Sequence, residues 1–532
     1  MIEAARPQVR VRTIRHGLIA VAVAILVLTG CSVPAPSSPS SAVAGIRISA
    51  VPGVAVDRPS LEPVQASVPG LTKGLAGSAL TPYLKQKLAW RDCDEGDGTE
   101  CATVRAPLDY TDPQGQAVTL ALRKLPATES PRLGSLFINP GGPGASGRDF
   151  VDRFDRSGLE QYDIVGWDPR GSGGSTPISC LSDAEVDAYS NLDASPDDAA
   201  ERDALIEASY AFGQACWKRN GDLLSHIGTV DTVQDLDLLR ALVGDSTLNY
   251  VGYSYGTRIG ATYAELFAHN VGHLVLDAAV NITDNTEVVQ AQGFDLALGN
   301  FATWCAQEQC GLGGTKKEVL SAITELLDRL DAQPLAVGKR QLTQTQATLG
   351  IAMGLYGGEA SWSSLATIIA RAINSEGSGL LAAADQLNGR GQDGHYDPLY
   401  FAFPAIGCLD TKEEGVLDAD RVWAETQKKA PIFGKYLGPS YQCPLWPVRP
   451  SVYLQLHLTG RSAPPLVVIG GTGDNATPYQ QSVDMAKQLS SAVLVTYEGE
   501  GHGSYGKSEC VNELVVNYLT KDKVPADGTR CQ

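Results

Sequence analysis

A serine between two glycines is the feature of this chain that most directly suggests chemistry. Ser254 lies at the centre of residues 252–256 (GYSYG), after the apolar stretch Leu248 to Val251 and before a helix-like segment, Thr257 to Phe267. A G-x-S-x-G pattern between a strand and a helix is typical of a tight, strained turn in which a side chain at either glycine would collide with its neighbours. Such a turn holds the serine hydroxyl at the end of a sheet, near the positive end of a helix. We therefore predict that Ser254 is a nucleophile.

A nucleophilic serine of this kind needs backbone donors for the negative charge that develops on the substrate oxygen. The loop of residues 139–144 (NPGGPG) follows the apolar strand Ser135 to Ile138, where one donor of such an oxyanion hole is expected. We predict that the amide of Gly142 is this donor, with Gly141 as the alternative, and that the amide of Tyr255 is the second donor. The other interpretation of this loop is a plain turn between a strand and a helix.

The general base and its orienting acid are expected after the serine, in the order Ser, Asp or Glu, His. Of the seven histidines in the chain, only His502 lies in a glycine-rich loop directly after an apolar strand, Ala492 to Tyr497. Asp474 follows the β-rich run Pro464 to Ile469, so it is expected at the carboxyl end of a strand, where active-site groups of open α/β sheets collect. We predict that His502 is the base and that Asp474 fixes its tautomer and stabilises the imidazolium.

Polar residues close to these loops have simpler structural explanations. Thr477 suits the N-cap of a helix, with Pro478 at the first helical position and Gln480 completing a capping box. The alternative is that Thr477 forms a hydrogen bond near Asp474. Asp168 and Arg170 lie in another glycine-rich loop after a strand. We expect them to support the loop beside the nucleophile rather than to touch substrate.

The order of β-rich and helical segments predicts an α/β sheet with two insertions. Helical patterns such as Thr232 to Val243 separate the strands. Residues 182–215 form a polar, helix-prone insertion, and residues 284–446 interrupt the pattern between the sixth and seventh strands. We predict that the second insertion is a helical cap, free of strands, that roofs the catalytic residues and excludes water. The eight predicted strands are Cys101 to Pro107, Ala117 to Leu125, Ser135 to Asn139, Gln161 to Gly166, Thr247 to Val251, Val271 to Leu276, Pro464 to Ile469 and Ala492 to Tyr497.

Taken together, these motifs resemble the tripeptidyl-aminopeptidase-like α/β-hydrolases, exported relatives of the proline iminopeptidases. The matching segments are GYSYGT, NPGGPGASG, GWDPRGSGGS, GGTGDNATP and, near the C-terminus, GEGHGSYG and VPADGTRC. The resemblance runs from about Leu80 to the C-terminus. It implies an α/β-hydrolase fold with a mostly parallel eight-stranded sheet and a helical cap between strands 6 and 7. It also implies a serine exopeptidase acting on free N-termini, with Ser254, Asp474 and His502 as its triad.

One departure from the family pattern bears on specificity. Pro140 stands where proline iminopeptidases usually carry a histidine, which argues against proline specificity. An aminopeptidase also needs an acidic group in its cap to bind the substrate ammonium. Asp410 and Glu359 are the candidates, and the alternative is that each is a surface charge. Two other functions stay open: an esterase or lipase with the same triad, and a catalytically silent binding protein on this fold.

The N-terminus predicts export and a lipid anchor. Basic residues precede the short apolar segment Gly17 to Leu28, and residues 28–31 (LTGC) resemble a bacterial lipobox. We predict that residues 1–31 are a lipoprotein signal peptide, that Cys31 is diacylated, and that the protein is held on the outer face of the cell membrane. The alternative is an ordinary secreted protein in which Cys31 is incidental. Residues 32–75, which begin as a Pro/Ser/Ala-rich stretch, are predicted to be a tether. The hydrolase core is expected in residues 76–283 and 447–532.

The cysteine content and the net charge indicate the compartment and the classes of binding partner that suit this protein. The chain has 11 cysteines, so 10 remain when Cys31 is set aside, an even number that suits an oxidising compartment. No CxxC pair or histidine cluster indicates zinc, and no cofactor is expected. The net charge of −18 argues against a nucleic-acid partner and weakly favours substrates with a positive amino terminus. Spacing suggests the pairs Cys93–Cys101, Cys180–Cys216, Cys305–Cys310, Cys408–Cys443 and Cys510–Cys531.

Overall fold

The computed structural model describes residues 77–93, 96–412, 415–450 and 456–532. The predicted signal peptide, the tether and Cys31 therefore lie outside the described residues. The strands are β1 (Arg91–Asp92), β2 (Glu100–Pro107), β3 (Ala117–Leu125), β4 (Gly134–Asn139), β5 (Tyr162–Trp167), β6 (Leu248–Tyr253), β7 (Val271–Asp277), β8 (Leu335–Val337), β9 (Arg340–Leu342), β10 (Leu466–Gly473), β11 (Ala492–Glu500) and β12 (Thr529–Cys531).

The helices surround the sheet and fill the long insertion before β10. They are α1 (Thr81–Leu84), α2 (Gly147–Phe150), α3 (Asp183–Ser190), α4 (Ala199–Asn220), α5 (Thr229–Val243), α6 (Tyr255–Leu266), α7 (Gln290–Gln307), α8 (Lys316–Ala332), α9 (Gln344–Tyr356), α10 (Glu359–Ile373), α11 (Ser378–Leu387), α12 (Leu399–Asp410), α13 (Val416–Lys429), α14 (Phe433–Tyr436), α15 (Tyr479–Gln488) and α16 (Glu509–Lys521).

The main sheet is mostly parallel, which confirms the predicted α/β-hydrolase class. Its strand order is β1-β2-β3-β5-β4-β6-β7-β10-β11-β12, and only the pairings at the β1 to β5 end are antiparallel. Strands β4, β6, β7 and β10 are neighbours at its centre. Because they run in the same direction, their carboxyl ends meet at one edge of the sheet. This edge receives the loops that carry the predicted catalytic residues.

The predicted number of strands is too low by two, because the sheet has ten. The two additional strands are β1 and β12, at opposite edges. Strands of two or three residues are too short to show a period-two pattern in sequence. Each lies at a disulfide: Cys93 directly follows β1 and bonds Cys101 of β2, and Cys531 of β12 bonds Cys510.

Successive side chains of a central strand pack into hydrophobic clusters on opposite faces of the sheet. In β6, Tyr250 packs in the cluster that includes Ile259 of α6 and Leu239 of α5, whereas the next residue, Val251, packs with Val515 of α16 on the opposite face. This alternation follows from the period of two along a strand. The nucleophile strand is therefore covered by helices on both faces.

The insertion between β7 and β10 forms a layer with its own apolar core, including Phe294, Phe301, Ile323 and Trp362. It is mostly helical, as predicted, but it also contains the antiparallel hairpin β8–β9. The prediction of a cap without strands was therefore wrong in this detail, and the reason is again that three-residue strands carry no readable period. The other predicted insertion, residues 182–215, contains α3 and most of α4.

The described residues contain five disulfides, which join the pairs that cysteine spacing suggested. Cys180–Cys216 joins the segment before α3 to α4, Cys305–Cys310 closes the end of α7, and Cys408–Cys443 ties α12 to the segment after α14. Within the described ranges, no helix is both long enough and apolar enough to cross a bilayer.

Candidate active site

Ser254 occupies a strained turn between β6 and α6. Its backbone has φ 55° and ψ −125°, a conformation that a residue with a side chain rarely adopts. A Cβ on Gly252 would lie 2.6 Å from the carbonyl oxygen of Gly256, and one on Gly256 would lie 2.9 Å from that of Asn139. Both glycines are thus required by close backbone packing, as the sequence pattern predicts. The turn presents the serine directly before the N-terminus of α6.

The loop after β4 packs against this turn. Gly141 has φ 95°, and a Cβ there would lie 2.9 Å from both the Ser254 Cβ and the Tyr255 nitrogen. The Gly141 amide already donates to Oδ1 of Asn139 at 2.9 Å. Gly142 is therefore the better of the two predicted oxyanion donors. Tyr255 is the first residue of α6, so its amide has no acceptor within the helix. The sequence prediction of Gly142 and Tyr255 as donors is thus compatible with the local geometry.

The partly buried His502 and the buried Asp474 form a hydrogen-bonded pair at the same edge of the sheet. The imidazole Nδ1 lies 2.9 Å from Oδ1 and 3.0 Å from Oδ2 of Asp474, whose side chain is 1% exposed. Asp474 follows β10 directly, and His502 lies in the loop after β11. The carboxylate also accepts the amides of Ala476 and Thr477, at 2.9 Å and 2.8 Å. With Nδ1 held by the carboxylate, Nε2 is the nitrogen available for proton transfer.

Thr477 does not have the role predicted for it. Helix α15 begins at Tyr479, its N-cap is Pro478, and no side chain caps it. The amides of Ala476 and Thr477 instead turn back to the Asp474 carboxylate, so the chain is still in a loop at Thr477. Its hydroxyl lies 3.4 Å from the imidazole Nδ1 of His502. The N-cap prediction was therefore wrong, whereas the alternative, a hydrogen bond of Thr477 near Asp474, agrees with the structure. The local sequence pattern of a helix cap does not show that a carboxylate competes for the same amide.

Asp277, a residue that sequence analysis did not single out, joins the nucleophile turn to the histidine loop. Its backbone oxygen accepts the amide of Ser254 at 3.0 Å. Its Oδ2 accepts the amides of Ser504 and Tyr505, at 2.8 Å and 2.7 Å. Burial of this carboxylate raises its pKa. The residue ends β7, and an aspartate at the carboxyl end of a central strand is the signal that could have identified it.

The cap contacts the histidine loop through Tyr356, which also escaped sequence analysis. The amide of His502 donates to the carbonyl oxygen of Tyr356 at 3.0 Å, and the two rings meet edge to face with centroids 5.4 Å apart. Burial, together with the nearby Asp474 charge, raises the pKa of Tyr356 to about 12. Tyr356 ends α9, so the cap contributes directly to the surroundings of the catalytic pair.

Asp168 and Arg170 support the neighbouring loop, as expected. The Arg170 side chain is fully buried and forms two charged hydrogen bonds with Asp235, of 2.6 Å and 2.7 Å. It also donates to the carbonyl oxygens of Pro107 and Leu108. Asp168 accepts from the Ser146 hydroxyl and the Gly174 amide. Both side chains are therefore bonded within the protein.

Glu359 and Asp410, the two candidates for binding the substrate ammonium, differ in their exposure to solvent. Glu359 is exposed at the start of α10, as a surface charge would be. Asp410 is not a surface charge, because its side chain is 14% exposed and its carboxylate accepts from Thr229 and Tyr255. These internal donors occupy the oxygens that an ammonium would need. Asp410 is therefore a poor candidate for binding the ammonium.

Comparisons with known proteins agree with this fold and motif order. The family model described as TAP-like protein matches residues 430–531. The serine protease Hip1 of Mycobacterium tuberculosis is 35% identical over 490 residues, covering 85% of this chain and 92% of that protein. Carboxylesterase B of the same species is 35% identical over 480 residues, covering 85% and 91%. The tripeptidyl aminopeptidase of Streptomyces lividans is 29% identical over 479 residues, covering 83% and 86%. Similarity of this extent, together with the elbow at Ser254, places the chain in the tripeptidyl-aminopeptidase-like family of α/β-hydrolases.

Proposed function

We propose that the protein is a serine peptidase that releases short peptides from free N-termini. The observation that carries this proposal is the hydrogen-bonded His502–Asp474 pair at the same sheet edge as the strained Ser254 turn, with Asp277 bonded to both loops. A nucleophile, a base and an acid that orients the base are the three groups that acyl transfer by serine requires. The names of the relatives, a serine protease and a tripeptidyl aminopeptidase, favour peptide substrates.

In the proposed reaction, Ser254 Oγ attacks the carbonyl carbon of the scissile peptide bond while Nε2 of His502 takes the hydroxyl proton. The amides of Gly142 and Tyr255 donate to the oxyanion of the tetrahedral intermediate. The imidazolium, stabilised by Asp474, then protonates the leaving amine, and an acyl-enzyme remains on Ser254. Water, deprotonated by His502, attacks the acyl-enzyme, and the proton returns to Ser254 Oγ as the N-terminal peptide leaves.

Carboxylesterase activity is the second candidate. It is supported by a relative named carboxylesterase B, which is as similar to this chain as the serine protease Hip1. The triad chemistry is the same for esters and peptides, so the cap decides the substrate.

Hydrolysis of matched substrates separates the two candidates. Unblocked tripeptide chromogenic substrates should be cleaved at least about tenfold faster than their N-acetylated forms, since an exopeptidase recognises the α-ammonium charge that acetylation removes. The Ser254→Ala variant gives the background rate for both. Equal rates on free and acetylated peptides, combined with a dependence on acyl-chain length among p-nitrophenyl esters, would favour the esterase.

We also propose that the mature protein is exported and held on the outside of the cell membrane by a lipid on Cys31. The lipobox-like residues 28–31 and the basic segment before them support this proposal. Cys31→Ala should move the protein from the membrane fraction to the medium, or leave an uncleaved precursor. A Cys31→Ala protein that is cleaved at the same site yet stays in the membrane fraction would contradict it. Mass analysis of the mature N-terminus tests the lipid directly.

A further inference from the structure

Asp410 is an acidic residue at the last position of α12, where its charge is unfavourable for its own helix. The carboxyl end of a helix carries partial negative charge, so a carboxylate there is destabilising unless other groups compensate. The compensation comes from the hydrolase core. Helix α5 begins at Thr229 after Gly228, which has no side chain to cap it. The Thr229 amide donates to Oδ1 of Asp410 at 3.3 Å, and the Thr229 hydroxyl donates to Oδ2.

The same carboxylate binds the helix that follows the nucleophile. The Tyr255 hydroxyl donates to Oδ2 of Asp410 at 2.5 Å, and Arg258, one turn further along α6, places Nε 3.8 Å from that oxygen. Arg258 also donates to the backbone oxygen of Asp410 at 3.2 Å. Burial and the Asp410 charge raise the pKa of Tyr255, so its hydroxyl stays protonated and remains a donor. One cap residue thus joins α12 to the first turns of α5 and α6.

The backbone amide and the side chain of Tyr255 have separate roles in this arrangement. Its backbone amide is a proposed oxyanion donor, whereas its side chain is the part held by Asp410. Helix α12 also lies on the other proposed donor loop, since a Cβ on Gly144 would lie 2.6 Å from the Ala402 Cβ. Helix α12 therefore contacts both the Tyr255 side chain and the loop that carries Gly142.

We propose that Asp410 is a positioning residue for the oxyanion hole: by holding the Tyr255 hydroxyl, it aligns the Tyr255 amide only when α12 is seated on the core. This inference rests on the proposed serine hydrolase function. It makes the cap part of the catalytic machinery as well as a filter for substrates. Oxyanion stabilisation depends on donors that are held in place before charge develops, so a loosened Tyr255 lowers the rate of the chemical step.

The space beside Asp410 is a small, partly open cavity. The cavity beside it has a volume of about 40 Å³ and is lined by polar groups of Thr229, Asp231, Arg258 and Asp410. Water needs roughly 10–15 Å³ of such volume per molecule, so the cavity has room for only a few waters. Beside this cavity the Asp410 carboxylate is bonded to Thr229 and Tyr255, so we assign its effect on the reaction to Tyr255.

The test is a double-mutant cycle with Asp410→Asn and Tyr255→Phe, measured as kcat and KM on a substrate that the wild type cleaves. Asp410→Asn keeps the shape of the side chain but removes its charge, and Tyr255→Phe keeps the ring and the backbone amide. Each single variant should lower kcat about tenfold with little change in KM, a loss smaller than the roughly 10²–10³-fold cost of deleting an oxyanion donor. The double variant should be no slower than the slower single variant, because Asp410→Asn weakens and Tyr255→Phe removes the same charge-assisted hydrogen bond. Asp418→Asn, a change of another aspartate in the cap that pairs with Arg421, is the matched control and should leave kcat unchanged.

Three results would overturn the proposal. Losses of kcat that multiply in the double variant would mean that the two residues act independently. A raised KM with unchanged kcat in Asp410→Asn would mean that Asp410 serves substrate binding instead. If Asp410→Asn does not fold, as judged by its melting temperature, Tyr255→Phe with wild-type kcat would also overturn it. Failure of the serine hydrolase function is distinguishable, because the wild type would then not react with a fluorophosphonate at Ser254.

Discussion

The backbone oxygen of Asp277 accepts the amide of Ser254 at 3.0 Å, so the residue that ends β7 anchors the nucleophile turn at the end of β6. The carboxylate of the same residue accepts two amides just beyond His502. The nucleophile and the base lie on loops separated by almost 250 residues of sequence, and Asp277 contacts both. One residue therefore bonds both loops, the nucleophile turn through its backbone oxygen and the histidine loop through its buried carboxylate.

Two substitutions of Asp277 should distinguish the effect of losing its hydrogen-bond acceptor from the effect of losing its negative charge. Asp277→Ala leaves two buried amides without their acceptor, at about 1–3 kcal/mol for each, and lets the histidine loop shift. We expect a lower free energy of unfolding and a strongly reduced kcat. Asp277→Asn keeps an oxygen acceptor, and it is neutral, which suits a site where burial raises the pKa of the carboxyl. It should retain most of the stability. Urea unfolding and steady-state kinetics measure both effects, and equal loss in the two variants would contradict this account.

Ser254→Ala should fold and be exported normally but lose at least about four orders of magnitude in kcat, since the other triad members cannot act without the nucleophile. A fluorophosphonate probe should label the wild type and not the variant. Labelling that persists in Ser254→Ala would place the nucleophile elsewhere in the chain.

Gly141→Ala should lower kcat more than a glycine-to-alanine change at a positive-φ position outside the active site. The new Cβ would lie 2.6 Å from the Tyr253 oxygen and 2.9 Å from the Ser254 Cβ, at a residue with φ 95°. The loop must shift away from the nucleophile, so we expect kcat to fall by about 10²-fold, the effect of a displacement of about 1 Å.

The matched control for this prediction is Gly338→Ala. It also places an alanine at positive φ, 62°, but its Cβ would meet nothing within 4 Å. It should cost about 1–2 kcal/mol of backbone strain and leave kcat unchanged. Equal kinetic effects in the two variants would show that strain, and not the contact with Ser254, is responsible.

Arg170→Met should be strongly destabilising, by about 3–5 kcal/mol, because it leaves the buried Asp235 carboxylate without its partner. The comparison is Arg421→Met, which removes an exposed arginine paired with Asp418 and should cost no more than about 1 kcal/mol. Urea unfolding followed by circular dichroism gives both free energies. A small effect of Arg170→Met would mean that Asp235 is neutralised or reaches water in the variant.

The sequence by itself determined the residues proposed to carry the chemistry. Ser254, Asp474 and His502 each lie in a loop or turn shortly after a strand, and the glycines on either side of Ser254 are required by close backbone packing. Strand, turn and helix are short-range patterns, so a window of about ten residues suffices to recognise them. The same reasoning located most of the sheet and the helical insertion, and it suggested the disulfide pairs from spacing.

Only the tertiary structure decided which side chains support those residues. Tyr255 and Asp410 are 155 residues apart, and nothing in the sequence near either residue indicates the other. Thr477 was misassigned for the same reason, since its local pattern is that of a helix cap and its surroundings are those of a carboxylate and an imidazole. A buried polar group needs a hydrogen-bond partner, because burying it without one costs free energy. Which residue becomes that partner depends on how elements distant in sequence pack together in the fold.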